Sequence, residues 1–251
     1  MPLLHRDAVG VRLTAAGSVV VEKGRSVLER SQALLMDARA AAEHATGILR
    51  VIEPLGMPLG AHVQILMATR SAMPKLRIVA RHVEDPLAHL REPCELMLHE
   101  GAAPEKGTWF SRVLVRQRLR VLASPAYLRT RAPLCLADLA DHDILGWKRP
   151  TQPVDSWPLL AGGTLKVSPW FVSPDFMLMR TLASRGGGLL LAPLSPFFNE
   201  DDAEQLVPVL EDHVGSDHLF RASSPNPSQA DSRTRAVLEQ IQKLLEGFPE
   251  D

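Results

Sequence analysis

The stretch from Thr14 to Thr46 contains no proline, and it constrains the fold more than any other part of this 251-residue chain. Apolar residues recur every seven positions in two adjacent rows, which predicts one long helix with a broad apolar stripe. Thr14 is a suitable N-cap for it. A helix this long needs a partner over its whole length, which favours pairing between two chains; packing on its own domain is the alternative. The rows are Val20, Val27, Leu34 and Ala41, and Val21, Leu28, Leu35 and Ala42, with the small residues Gly24, Ser31 and Ala38 beside them. The dimerisation residues expected from these rows are Val20, Val27, Leu28, Leu34 and Leu35.

Composition excludes several classes of protein. A hydrophobic fraction of 45% and a charged fraction of 23% are typical of a soluble globular chain. The formal net charge of -1 gives no general attraction to nucleic acid. The first ten residues do not resemble a signal peptide, and no segment has the apolar length of a membrane helix. Two widely separated cysteines fit a reducing compartment. A cytoplasmic protein without a membrane partner is therefore expected.

After Thr46 the sequence alternates strand-like and helical segments, which predicts an α/β sheet with crossover connections. The predicted strands are Ile48–Ile52, Arg77–Val83, Glu95–Leu98, Leu119–Ala123, Thr164–Ser168, Gly188–Ala192 and Leu206–Leu210. The predicted helices are Leu59–Ser71, Ser173–Arg185 and Ser232–Gly247, with a turn-rich loop over Ser223–Ser228.

Motifs that would indicate an enzyme, a metal or a cofactor are weak. Gly186–Gly188 is followed by leucines rather than by Lys and Ser/Thr, so a helix-ending turn is favoured over a phosphate loop. The histidine pairs His82/His89 and His213/His218 lack zinc-site spacing. Ser124 with Asp141–Asp143 has no nucleophile elbow around it. Neither catalytic residues, nor a metal site, nor a cofactor are expected.

Short segments along the whole chain form an ordered set that is more specific than any one of them. The set comprises Leu3–Arg6, Val11–Gly17, Gly47–Val51, Val83–Leu87, Cys94–Leu98, Val121–Leu128, Leu136–Leu139, Gly186–Pro193 and Leu206–Leu210. In this order it resembles the LysR-type transcriptional regulators. The first two segments are similar to the wing and the start of the linker helix in that family. The others are similar to its effector domain, and Val121–Leu128 is the most specific match.

The resemblance implies an α/β fold: a two-lobed, periplasmic-binding-protein-like (type 2) domain preceded by a long linker helix. Residues 1–13 would be the remnant of a winged helix-turn-helix, residues 14–46 the dimerisation linker helix, and residues 47–251 the effector-binding domain. Lobe I would comprise about 47–98 and about 206–251, and lobe II about 99–205. Most of the DNA-reading head is expected to be missing, through truncation or a late start. Some members use cysteines as a redox switch, but packing is favoured for Cys94 and Cys135.

The implied function is a ligand-responsive transcriptional regulator that senses a small metabolite in a cleft between the lobes. The chain carries Leu55, Gly56 and Met57 where most of the family has a small hydroxyl residue, which favours an apolar ligand. Trp170 could form an aromatic wall, or pack in the core. The expected ligand-binding residues are Pro54, Leu55, Gly56, Met57, Glu84, Ser168 and Trp170.

The expected partners are a small-molecule effector, a second copy of the chain in a homodimer or tetramer, and promoter DNA only where a helix-turn-helix is present. Arg6 and Arg12 flank the wing turn, which approaches the DNA backbone in this family, and they are the expected DNA contacts. The alternative function is a stand-alone solute-binding protein. It is disfavoured because such a protein has no use for a wing and a linker helix.

Overall fold

A computed structural model describes residues 2–7, 10–21, 23–24, 27, 47–104, 109–133, 135–150, 152–194, 205–225 and 232–246. The chain divides into two compact units, residues 1–46 and residues 47–251. Within the described residues, no helix combines the length and apolar character that a transmembrane span requires.

The first unit begins with an antiparallel hairpin of β1 (Leu4–Asp7) and β2 (Gly10–Leu13). A helical segment over residues 15–21 follows, and Thr14 is its N-cap, as predicted, because Oγ1 of Thr14 accepts a hydrogen bond from the backbone N–H of Gly17 at 3.0 Å. Val20 and Val27 are helical and exposed. The other expected dimerisation residues, Leu28, Leu34 and Leu35, lie outside the described residues.

The second unit is built around one nine-stranded mixed sheet. Its strands are β3 (Gly47–Pro54), β4 (Leu76–Val83), β5 (Leu96–Glu100), β6 (Trp109–Ala123), β7 (Ile144–Trp147), β10 (Pro169–Ser173), β11 (Leu189–Pro193), β12 (Val207–Val209) and β13 (Ser216–Pro225); β8 (Ser156–Pro158) and β9 (Thr164–Lys166) form a separate hairpin. The helices are α1 (Leu59–Ala72), α2 (Pro125–Thr130), α3 (Phe176–Ser184) and α4 (Ser232–Leu245), with 3₁₀ turns at Pro86–His89 and Leu136–Asp141.

The sheet joins two lobes through two long strands. Parallel strands β4, β3 and β5 form one half, parallel strands β11, β7 and β10 form the other, and β6 and β13 run antiparallel between them. Each half has its own core: Ile52, Val83 and Met97 pack in the first, while Ile144, Met179 and Leu190 pack in the second. Two cores bridged by two strands make the two-lobed α/β architecture that the sequence predicted.

Two predicted elements differ from those in the structure. Ser223–Pro225 was expected to be a loop but belongs to β13, because Ser223 is buried and its Oγ lies 2.7 Å from Nε2 of His99 on the neighbouring strand. Thr164–Ser168 was expected to be one strand, but β9 ends at Lys166. Cys94 is buried in the first core, whereas Cys135 is exposed.

The chain enters the second lobe and leaves it through the two long strands. Leu206 and Val214 were expected to lie with lobe I, but they pack in the core of the second lobe, so the return to the first lobe occurs within β13. Gly186 and Gly188 take positive φ angles between α3 and β11, and the triple glycine is therefore the helix-ending turn that the sequence predicted.

Candidate functional site

An apolar cavity lies between the two lobes and encloses about 810 Å³ of empty space, including solvent at its mouth. Its wall includes the carboxyl end of β3, and we call it the apolar cavity. Both connecting strands, β6 and β13, contribute to its wall together with residues of both lobes, so a ligand there would touch the hinge as well as the lobes. The wall is formed by Pro54–Pro58, Ala61, His62, Ile65, Leu98, Glu100, Leu114, Val115, Gln117, Trp147, Phe176, Pro193, His218, Phe220, Ile241, Leu244 and Leu245.

The turn after β3 brings the lobes together at one edge of this cavity. The backbone N–H of Leu55 donates to the carbonyl of Val83 at 3.1 Å, which fixes the start of the turn on β4. Gly56 has a φ of 74°, and a Cβ atom there would lie 2.4 Å from the backbone nitrogen of Phe176 at the start of α3. Only glycine fits both the left-handed conformation and this close approach.

Aromatic rings form the wall on the side of the second lobe. The ring centroids of Trp147 and Phe176 lie 4.5 Å apart, and those of Trp147 and His218 lie 5.9 Å apart. The guanidinium carbon of Arg149 lies 5.2 Å from the centroid of the Trp147 ring. Trp147 is thus held between two rings and a cation, in a geometry that fixes the position of its large apolar face.

Two ionisable side chains contribute to this wall, and burial favours the neutral form of each. Burial raises the pKa of Glu100 to about 7, against the opposing effect of Arg149, and its Oε2 atom is fully buried without a hydrogen-bond partner among the described residues. Burial and, secondarily, the charge of Arg149 lower the pKa of His218 to about 4. The cavity therefore offers two buried polar groups opposite an apolar wall, and burial disfavours the charged form of both.

A second, smaller opening adjoins the apolar cavity and shares Pro54, Leu55, Glu100 and Trp147 with it. We call it the polar crevice. Glu84 and Lys148 face each other across it, with Oε1 and Nζ 2.5 Å apart, and both side chains are about half exposed. This ion pair joins the end of β4 in one lobe to the end of β7 in the other. The remaining wall is formed by Asp85, Pro86, Leu87, His99, Arg149, Pro150 and Pro174.

Beside the apolar cavity, one carboxylate and two imidazoles converge. Oε1 of Glu53 lies 3.1 Å from Nε2 of His82 and 3.6 Å from Nε2 of His62. Glu53 is 2% exposed, and burial raises its pKa to about 7. Burial, followed by the neighbouring His82, lowers the pKa of His62. The sequence did not predict this cluster, because Glu53 meets His82 only through the register of two parallel strands.

Comparison with known proteins decides the family. A family model described as the LysR substrate binding domain matches residues 42–246. The chain belongs to the LysR substrate-binding domain family. Curated proteins gave no significant match to the chain.

Solved structures of LysR-type regulators have the same fold. The LysR-type regulator CrgA of Neisseria meningitidis is 22% identical, with a TM-score of 0.69 over 98% of this chain and 84% of that one. The virulence activator AphB of Vibrio cholerae is 20% identical, with a TM-score of 0.62 over 96% of this chain and 83% of that one. The effector domain of the regulator AmpR of Pseudomonas aeruginosa is 16% identical, with a TM-score of 0.62 over 80% and 96%.

The LysR assignment confirms the fold that the family resemblance implied and makes the chain a regulatory domain of the LysR type. The side chains that could suggest a hydrolase have other partners. Oγ of Ser124 accepts a hydrogen bond from the N–H of Tyr127 and caps α2, while Nδ1 of His142 lies 2.9 Å from the Tyr127 hydroxyl. These contacts stabilise the second lobe and do not assemble a nucleophile with a base.

The structure places the expected ligand-binding residues in three locations. Pro54, Leu55, Gly56 and Met57 line the apolar cavity of the LysR domain, and Glu84 lines the polar crevice. Ser168 and Trp170 line neither. Ser168 is exposed, and Trp170, on the sheet-edge strand β10, is 57% exposed and donates its indole N–H to the carbonyl of Gly187.

The aromatic and ionisable residues of the cavity wall, Trp147, His218 and Glu100, were not predicted from the sequence. Trp147 and His218 stand in β7 and β13, two strands that the sequence did not predict, because β7 is short and β13 is polar in composition. Glu100 ends β5 two residues beyond the predicted strand. The available signal was the buried apolar run Ile144–Trp147, which is long enough for a central parallel strand.

The expected DNA contacts lie in the hairpin of the first unit. Arg6 stands in β1 opposite Val11, and Arg12 stands in β2 opposite His5. The side chains of both arginines lie outside the described residues. The structure shows an antiparallel hairpin in this segment, and its role as a wing stays a prediction.

Proposed function

We propose that this chain senses a small effector with an apolar or aromatic body, which binds in the apolar cavity and changes the relation between the two lobes. The observation that carries the proposal is the position of the cavity: its wall includes the turn after β3, the connecting strands β6 and β13, and the start of α3. A ligand that fills it contacts both lobes and the hinge together. Such a ligand shifts the equilibrium between conformations by its differential affinity for them.

The wall suggests where the polar group of the effector would lie. Backbone N–H groups at Gly56, Met57 and the first turn of α1 favour an anionic or hydrogen-bonding group of the ligand at this side of the cavity. The first turn of α1 carries no acidic residue that would compete with the ligand for these donors. On the opposite side, the buried carboxyl of Glu100 can accept a hydrogen bond from a hydroxyl group or, when protonated, donate one to a carbonyl group. An apolar carboxylic acid fits both features. A sugar does not fit, because its many hydroxyl groups would face an apolar wall on which Glu100 is one of few hydrogen-bonding groups.

A thermal-shift screen tests this function. Benzoate, phenylacetate and indole-3-acetate represent apolar acids, while glucose, sulfate and phosphate represent sugars and inorganic anions. A ligand that binds only the folded protein raises the Tm as its concentration rises. We expect at least one apolar acid to do so. Stabilisation by sugars or inorganic anions alone would contradict the proposed effector class.

The assembly proposed for the regulator is a homodimer or tetramer formed through the helix predicted over residues 14–46. Val20 and Val27 support it, because both are exposed on the described helical part of that segment. Replacing both by glutamate should convert dimers to monomers in analytical ultracentrifugation, because like charges would face each other at the seam. An unchanged sedimentation coefficient would contradict pairing through this face. Arg6 and Arg12 would then approach DNA as part of the assembled regulator, together with a helix-turn-helix.

A further inference from the structure

The cluster of Glu53, His62 and His82 is held by three different elements. Glu53 is at the carboxyl end of β3, His82 is its register partner on the parallel strand β4, and His62 lies in the first turn of α1. A backbone hydrogen bond of 2.9 Å from the N–H of His62 to the carbonyl of Pro58 fixes the helical turn that carries the second imidazole. The three side chains therefore converge because of the fold, not because of flexible surface residues.

The atoms face one another as metal ligands do. One donor atom from each side chain can be chosen so that all three lie within 4.8 Å of one another. A tetrahedral zinc ion with bonds of about 2.0–2.1 Å separates its ligand atoms by about 3.3 Å. The two distances from Oε1 of Glu53, 3.1 Å and 3.6 Å, bracket that separation.

The buried carboxylate needs a partner that the described residues do not fully supply. Glu53 is 2% exposed, yet its Oε1 accepts no hydrogen bond from any described residue, although both imidazole nitrogens are close. A buried acceptor left without a donor is costly, and a bound cation would remove that cost. His82, with 44% of its side chain exposed, leaves a route for an ion from solvent.

We propose that Glu53, His62 and His82 bind a divalent transition-metal ion, with zinc the best match, beside the apolar cavity. Two imidazoles and one carboxylate are a borderline donor set that zinc accepts, while magnesium and calcium prefer oxygen ligands alone. Three protein ligands leave a coordination position for water or for a donor atom of a bound molecule.

Metal binding would act on the sensor through α1. His62 lines the apolar cavity together with Ala61 and Ile65 of the same helix. An ion bound by His62 and by two strands of the sheet fixes the first turn of α1 relative to β3 and β4. This inference is independent of the effector proposed above, since it depends only on the three ligands and not on what fills the cavity.

Zinc titration of the metal-free protein by calorimetry tests the site, with His82→Gln as the main variant and His89→Gln as its matched control. His89 is a nearby histidine that pairs with Glu92 and lies outside the cluster. We expect the wild type and His89→Gln to bind one zinc ion in this site with equal affinity, and His82→Gln to lose at least about tenfold in affinity. Equal binding by all three proteins would overturn the proposal, as would no binding by the wild type.

Two further measurements separate loss of the site from loss of the fold. Without metal, the Tm of His82→Gln should stay close to that of the wild type, because nearly half of the His82 side chain is exposed. Zinc should then raise the Tm of the wild type and of His89→Gln but not that of His82→Gln. Cobalt in place of zinc should give the visible absorption of a four- or five-coordinate ion in the wild type, and His62→Gln should abolish it. An unchanged cobalt spectrum in His62→Gln would contradict the assignment of the ligands.

Discussion

The apolar cavity and the polar crevice share four lining residues, but the contacts between the two lobes around them are of different kinds. Around the apolar cavity, the lobes meet through the close backbone approach of Gly56 in the first lobe to Phe176 and Met177 in the second. Across the polar crevice, they meet through Glu84 and Lys148, two exposed charges. Packing of buried groups depends on shape and tolerates little change, whereas an exposed ion pair contributes little free energy. The difference indicates that the apolar cavity, not the crevice, determines which arrangement of the lobes is stable.

Adding a methyl group at Gly56 should have the largest effect. In Gly56→Ala the Cβ would lie 2.4 Å from one backbone nitrogen and 2.7 Å from the next, those of Phe176 and Met177, in a left-handed conformation. We expect a loss of roughly 2–5 kcal/mol in the free energy of unfolding, or a separation of the lobes that relieves the overlap. Urea denaturation and small-angle X-ray scattering measure the two outcomes.

Gly162→Ala is the control for this substitution. Gly162 also has a positive φ angle, but a Cβ there has no atom within 4 Å. Gly162→Ala should therefore lose only the free energy of unfolding that the left-handed backbone costs, because its Cβ overlaps no other atom. If Gly56→Ala and Gly162→Ala lose the same stability and keep the same scattering profile, the close approach at Gly56 does not control the lobes.

Titration of the cavity wall should have an intermediate effect on the free energy of unfolding, because its two buried ionisable groups change that free energy in opposite directions. The pKa of His218 is lowered from 6.5 to about 4, so the unfolded chain binds more protons than the folded one in that interval, and stability falls as the pH falls. The pKa of Glu100 is raised from 4.5 to about 7, so its contribution is complete below pH 4.5 and is lost as the pH rises to 7.

Single variants should separate these contributions. Between pH 4 and pH 7, His218→Gln should remove the fall in the free energy of unfolding toward acidic pH, and Glu100→Gln should remove its fall toward neutral pH. Each contribution is on the order of 3 kcal/mol. Stability measured against pH by urea denaturation tests this. Parallel curves for the wild type and both variants would show that these groups do not titrate as buried groups.

Breaking the ion pair of the polar crevice should have the smallest effect. Glu84→Gln removes the charge opposite Lys148, and both side chains are about half exposed. We expect a loss below about 1 kcal/mol that disappears at high salt. Glu95→Gln, which breaks the Arg50–Glu95 pair within one lobe, is the matched control. A loss of several kcal/mol in Glu84→Gln alone would show that the crevice, and not the cavity, holds the lobes.

The comparison also separates what a sequence can predict from what it cannot. The turn at Pro54–Met57 was predicted to bind the ligand, because it follows the first predicted strand of the domain and precedes a helix whose N–H groups can hold an anion. In the structure this turn lines the apolar cavity. The opposite wall could not be predicted in this way. Trp147, Phe176 and His218 come from three elements of the second unit, and only long-range pairing brings them together.

Two further residues show the limits of local pattern. Trp170 looked like a possible aromatic wall, but the sequence does not determine which strand lies at the edge of a sheet, and in the structure the indole lies on the edge strand β10. Ser223 looked like a loop residue, but its burial follows from pairing with β5 and from the contact with His99. In both positions tertiary structure, rather than residue type, decides the environment.

The most direct test of the central claim is to fill the apolar cavity. Ala61 and Val63 lie two residues apart on α1; Ala61 lines the cavity, whereas Val63 is 55% exposed. We expect Val63→Trp to bind the apolar acid selected by the thermal-shift screen as the wild type does, and Ala61→Trp to bind it at least about tenfold more weakly, a difference of about 1.4 kcal/mol, in isothermal titration calorimetry. Equal affinity in the wild type and in both folded variants would contradict binding of the effector in this cavity.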